Sequence, residues 1–371
     1  MKEGWTYKIL LDCIYNIPKQ KQVKSKDYKT KGLYPIVSQE KDLISGYWDD
    51  ETYLYRHDKP IIIFGDHTKE IKFIDFDFVV GADGTKILYP KDNLDSKFFY
   101  YALIATPLRE LGYARHFRLL KEKSFPIPPL SEQQRIVAQL DEAFAEIDLI
   151  KAEAEKQLSD AKALFQKALS QAMTPKEGWE KKKLGDIGTF SRGINFIKSD
   201  FVKEGYPCIH YGQIHTVFGN TTYKHLTCIP KEKVREDKLA SKGDLIIAIT
   251  SEDVEASCKC TAWMGDYDIA VGAHAAIYKH NLNPVYVSYF FQSSSFQNEK
   301  ELYTHGFKVV EIKPADIGKI HIYYPPLSEQ QRIVEELDEL SENLKEIEAL
   351  NNKLTVECDA MKQALLRQVF E

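Results

Sequence analysis

The chain has 371 residues, 43% of them hydrophobic and 28% charged, the proportions of an ordinary globular protein with room for two or three cores. No run reaches about eighteen apolar residues, and the opening MKEGWTYKILLDC lacks the basic-then-apolar order of a secretory leader, so a cytoplasmic protein without a membrane span is expected. Six cysteines are too few for a disulfide framework, and a net charge of −5 argues against a nucleic-acid partner unless basic residues are segregated.

Residues 1–127 come first and read as mostly strand. Ile61-Ile62-Ile63-Phe64 followed by Gly65-Asp66-His67 predicts a buried strand and turn, as does 76–80 before Gly81-Ala82-Asp83-Gly84. A short helix is predicted over 96–111. The polar residues of this region suit contact with base edges or phosphates: Lys21, Lys24 and Lys26 in a lysine-rich run, then Gln39, Tyr47, Arg56, His67, Lys69, Lys86, Arg115 and Arg118.

Residues 128–175 form a helical segment that opens PPLSEQQRIV at 128–137. Pro-Pro ends the preceding strand. Ser131 with Gln134 three residues on predicts a capping box, and Glu132 complements the positive end of the helix dipole. Apolar residues then recur at three-and-four spacing, among them Val137, Leu140, Phe144, Ile147, Ile150, Leu158 and Phe165, with no Gly or Pro to interrupt them.

Residues 176–324 open with KEGW, as residues 2–5 do, and again read as strand and turn. Leu245-Ile246-Ile247-Ala248-Ile249 after Lys242-Gly243-Asp244 is a buried strand, and 284–302 a helical stretch. The candidate contact residues are Arg192, Asn195, Lys198, Tyr211, Gln213, His215, Ser251, His274, His305 and Lys308. Residues 325–371 then repeat the helical segment, with PPLSEQQRIV at 325–334 and a seam of Val334, Leu337, Leu344, Ile347, Leu350, Leu354, Met361 and Leu365.

The second helix copies the first at a displacement of 197 residues without a gap: Leu140-Asp141-Glu142 faces Leu337-Asp338-Glu339, and Gln171 faces Gln368. The chain is a duplicated module of variable region and long helix. The expected architecture is α+β, with two α+β regions and two helices of roughly 60 Å. One narrow apolar seam cannot hold a lone rod in water, so the helices should bury each other as an antiparallel coiled coil with pseudo-two-fold symmetry. Such symmetry suits a partner with two halves, and duplex DNA is the commonest. Charge is segregated accordingly: 131–172 carries −3 and 328–371 carries −6, which leaves +4 on the rest.

No phosphate-binding G-x-x-x-x-G-K-[ST] loop is present. Tyr324-Pro325-Pro326 lacks the Asn or Asp of an adenine methyltransferase motif. Cys258-Lys259-Cys260 has no matching C-x-x-C and reads as core rather than zinc ligation. The chain is expected to carry no catalytic residues, no metal and no cofactor of its own.

The doubled P-P-L-S-E-Q-Q-R-I-V at the entrance of paired long helices, after two dissimilar regions, resembles the specificity subunit of type I restriction–modification systems. The resemblance covers essentially the whole length, apart from a first region that starts almost at Met1 without a leading helical segment. It implies that 1–127 and 176–324 are target recognition domains, each reading one half of a split double-stranded DNA sequence. It implies also that the helices space the halves and dock two methyltransferase subunits, which bring S-adenosylmethionine. Restriction subunits using ATP and magnesium would join for cleavage. The rival expectation is a scaffold or decoy that binds methyltransferase subunits without touching DNA.

Overall fold

The computed structural model describes residues 4–109, 112, 114–306 and 309–370. The chain divides into two compact units, Met1–Glu155 with Asn351–Glu371, and Lys156–Leu350.

In the first unit, Thr6–Ile9 pairs antiparallel with Ser124–Ile127 and so closes the domain between them on itself. Between them lie a four-stranded sheet, in the order Ile14–Tyr15, Thr85–Pro90, Ile61–Gly65 and Ile71–Ile74, and a mixed sheet built around Phe78–Gly81. Ile61, Ile62, Ile63 and Phe64 are all fully buried. A strand covered on both faces reads as a continuous apolar run rather than an alternating one. Helix α1 (Ser96–Ala105) packs on this sheet, capped by Asp95, whose carboxylate accepts from the Lys97 and Phe98 amides. It ends six residues short of the expected 111, and residues 110 and 111 lie outside the described ones.

The second unit repeats this plan. Glu180–Lys183 pairs with His321–Tyr324 as the closing ribbon. A five-stranded sheet runs Gly188–Arg192, Ala275–His280, Leu245–Ala248, Cys260–Trp263 and Thr221–Thr222, beside a four-stranded sheet built on Tyr206–Ile209 and Ile269–Val271. The expected helical stretch 284–302 is two helices, Pro284–Gln292 and Ser294–Glu301. Ser293 separates them, with its hydroxyl accepting from the Phe296 amide to start the second. Burial keeps Cys258 and Cys260 in the core, where loss of solvent pushes the Cys260 thiol up to about 12.

The long helices are α2 (Leu130–Ala172, 43 residues) and α3 (Leu327–Phe370, 44 residues), each about 65 Å long. They pair antiparallel. In the first unit Asp148 meets Lys362 and Lys151 meets Asp359 at 3.4 Å; in the second Lys162 meets Glu348 at 3.1 Å. As one number rises its partner's falls by the same step. Of the expected seam, Leu140, Ile147, Phe165, Val334 and Leu337 are buried, and Val137, Phe144, Leu158, Leu344, Ile347, Leu354 and Leu365 are partly buried. Ile150, Leu350 and Met361 are instead 52%, 65% and 56% exposed. A step of three residues from Ile147 falls short of a full turn, and the step of four brings Lys151 toward the seam instead.

The helix starts differ from the expected capping box. Both helices begin two residues earlier than those caps would place them, at Leu130 and Leu327, so Ser131 and Ser328 sit inside the first turn and are exposed. The Pro129 carbonyl accepts from the Glu132 and Gln133 amides, and the Pro326 carbonyl from those of Glu329 and Gln330. The prolines end the strand and cap the helix in one step.

Candidate nucleic-acid interface

Identical residues at the two helix starts do identical work. Gln133 is fully buried; its amide nitrogen donates to the Pro128 carbonyl at 2.8 Å and the Asn93 carbonyl at 3.1 Å, while its oxygen accepts from the Asp95 amide at 2.8 Å. Gln330 donates to Pro325 at 2.8 Å and accepts from the Asn283 amide at 2.9 Å. Asp95 and Asn283 are the N-caps of the domain helices Ser96–Ala105 and Pro284–Gln292. A second tie follows: the Tyr101 hydroxyl donates to Asp141 and the Tyr289 hydroxyl to Asp338, the latter at 2.7 Å. Burial and then the neighbouring carboxylate push both phenols upward, so each remains a donor. Each α+β domain is thereby bonded to the long helix that follows it. Sequence reasoning missed these ties, although Gln133 and Asp141 lay inside the repeat.

In the second domain, candidates from distant parts of the chain converge where the central strands end. His274 stands in the turn before Ala275–His280, Thr250 follows Leu245–Ala248, and Tyr211 and His215 lie on the short helix after Tyr206–Ile209. The Tyr211 ring is 5.1 Å from His274 and 6.1 Å from His215. The Thr250 hydroxyl bonds His274 Nδ1 at 3.1 Å, and His215 Nε2 bonds the Thr250 carbonyl at 3.2 Å. Arg192 Nε donates to the Ala273 carbonyl at 2.7 Å and its Nη2 pairs with Glu311 at 2.9 Å. His305 pairs across from Glu311, and Ser251 across from Val310. Lys259, which sequence reasoning passed over, donates to the His215 carbonyl at 2.8 Å. The cluster exposes Arg192, Tyr211, His274 and His305. Gln213 is buried and spent internally, accepting from the His210 amide and donating to the Thr227 hydroxyl, and Ser251 is buried in its strand. Asn195 and Lys198 are exposed on the adjoining segment, and Lys308 lies outside the described residues.

The first domain gathers a smaller group at the corresponding strand ends. Gln39 is buried, with its side-chain oxygen accepting from the His67 amide at 3.1 Å and its carbonyl from the Thr68 hydroxyl at 2.6 Å. His67 and Lys69 occupy that turn, where Lys69 adopts a left-handed φ of 64°. Lys86 stands 3.7 Å from Asp66. Together with Arg115, Gln20 and Gln22 it lines a cleft of about 920 Å³. Lys24 and Lys26 are exposed at the turn Ser25–Asp27, and Arg118 on the helix Phe117–Lys121. Lys21 is held by Thr52 and the Tyr53 ring, Arg56 by Glu51 and Asp77, and Tyr47 sits in the strand Gly46–Trp48.

In each domain a buried lysine fixes a loop. Lys300, 1% exposed, donates to the carbonyls of Val254, Glu255 and Ser257 at 2.8, 3.1 and 3.0 Å. Lys72 donates to the carbonyls of Ser38 and Asp42. Burial lowers both ammonium pKa values, and the carbonyls supply the hydrogen bonds that a buried cation needs.

Similarity to known proteins identifies the family. The family model of the type I restriction modification DNA specificity domain matches residues 2–159 and again 176–356. The Escherichia coli EcoR124I/EcoR124II specificity subunit is 27% identical over 344 residues, 87% of this chain and 83% of that one. The Salmonella potsdam StySPI specificity subunit is 26% identical over 196 residues, 51% of this chain and only 42% of its own length. Among solved structures, one described as the basis of complex assembly and conformational transition of the type I R-M system aligns at a TM-score of 0.70. That alignment has 19% identity and covers 98% of this chain and 97% of the other. The HsdS subunit from Thermoanaerobacter tengcongensis aligns at 0.52 with 18% identity, over 100% and 97%. These likenesses speak for the fold. With the model matched by both halves, the chain belongs to the type I restriction–modification DNA specificity family.

Proposed function

We propose that this chain is the DNA-reading subunit of a type I restriction–modification complex. Each recognition domain reads one half of a bipartite target through the loops at its strand ends. The observation that carries this reading is the pair of unlike polar clusters, each on a domain bonded by the same glutamine and tyrosine–aspartate ties to a copy of the same helix. Unlike clusters suit unlike half-sites, and repeated helices suit two copies of one partner.

The exposed faces of those helix starts, where Arg135 pairs with Glu132 and Arg332 with Glu329, are the docking surfaces we assign to two methyltransferase subunits. Those subunits supply S-adenosylmethionine and turn the target adenines out of the stack. Motor–nuclease subunits would bring ATP and magnesium. This chain contributes recognition and spacing and no catalytic group. Methylome sequencing of cells with and without the gene should reveal one two-part, adenine-containing sequence that is methylated only when the gene is present. Purified chain with its methyltransferase should bind that duplex with an affinity that falls steeply with salt. Methyltransferase binding without salt-sensitive DNA affinity would instead make it a scaffold.

A further inference from the structure

The two domains share a frame around one position but fill it differently. In the first, Val23 pairs in parallel with Gly81, and Val37 with Val80. In the second, Ile194 bridges in parallel to Gly272, and Ile209 pairs with Val271. A single 3-10 turn follows in each, Ser25–Asp27 and Lys198–Asp200, and then an aromatic residue, Tyr28 or Phe201. In the first domain Tyr28 closes the space: a Cβ added at Gly81 would meet its hydroxyl at 2.3 Å. In the second, Phe201 lies stacked on His210, with centroids 5.2 Å apart and planes inclined at 28°. The space beside them remains open as a cavity of about 410 Å³.

Its walls include Phe196, Phe201, His210, Tyr211 and His274, with Lys198 the cation among them. Phe196 stands edge-on to Phe201 at 6.0 Å, and Tyr211 and His274 belong to the cluster described above. Burial first, and then Lys198, keep the His210 imidazole below its usual pKa, so a neutral ring lines the cavity.

We propose that this cavity receives one nucleobase turned out of the duplex stack within the half-site read by the second domain, an assignment that rests on the DNA-reading role above. A base offers a flat π face for offset or edge packing against such rings, and stacking of this kind tolerates any base. Lys198 and Arg192 supply positive charge beside the cavity for the attached phosphates. When a partner methyltransferase turns out an adenine, its complement is left unpaired, and this is the base the cavity is placed to hold.

The test uses the full chain with its methyltransferase and a set of duplexes, each carrying one mismatch in the second half-site. A mismatch lowers the cost of turning a base out, so at one position it should tighten binding roughly fivefold or more. Phe201→Ala removes the stacking surface, and Ala273→Phe fills the cavity while leaving the core rings in place. Both should cut that gain below about twofold, each gain being taken relative to the same variant's binding of the paired duplex. If every mismatch weakens binding, or if the gain survives in Ala273→Phe, the proposal is overturned. Absence of any salt-sensitive binding by the unaltered chain would instead overturn the DNA-reading role itself.

Discussion

Gln133 and Gln330 show what a single repeated residue is for. Each holds a proline carbonyl and the amide of a helix N-cap together inside a buried junction. Gln330→Ala leaves both groups without a partner and should cost about 1–3 kcal/mol in thermal or denaturant unfolding, whereas exposed Gln134→Ala should stay within about 0.5 kcal/mol. His280 gives a second test. Burial pushes its imidazole down to about 4, and Nδ1 accepts from the Leu282 amide, which requires the neutral ring. The unfolded chain then binds the extra proton more readily than the folded one. Stability from this residue is therefore present above pH 6.5 and drains as pH falls toward about 4, by up to about 3 kcal/mol. Melting temperatures between pH 7 and pH 4.5 should fall less for His280→Asn than for the unaltered chain, once compared with their own values at pH 7.

Along the long helices, the apolar spacing located the seam but not its edge. Three-residue steps and four-residue steps both look periodic in a sequence, and only the facing helix decides between them. Ile147 lies buried on the seam and Ile150, one step on, lies half in solvent. Ile147→Ala should cost about 2–5 kcal/mol, and Ile150→Ala no more than about 0.5 kcal/mol. Equal losses would place Ile150 in the interface after all. Asn351 is a polar interruption of the apolar run, and its Oδ1 is buried without a hydrogen-bond partner among the described residues. A buried amide at one seam position lowers stability while favouring one register over others.

For the molecule as a unit, the proposed role makes helix length the measure of target spacing. One heptad inserted at matched positions in both helices lengthens the pair by about 10 Å. That is about three base pairs at 3.4 Å each. The preferred gap of the bipartite target should grow by that amount while the two half-sites stay the same, as read by methylome sequencing. An unchanged gap would mean that something other than the helices sets the spacing.

The duplication, the two long helices and the family were all written in the primary structure, because a 197-residue displacement and a three-and-four period are one-dimensional patterns. The candidate cluster was legible only as residue types. Arg192, Tyr211, His274 and His305 are spread over more than a hundred positions, and strand order brings them together. The same holds for burial: Gln39 and Gln213 read as surface amides until the folded chain turned their hydrogen bonds inward. Local periodicity follows from backbone geometry and can be read along the chain. A pocket, or a residue's choice between solvent and core, depends on neighbours that only the sheet and the packed helices supply.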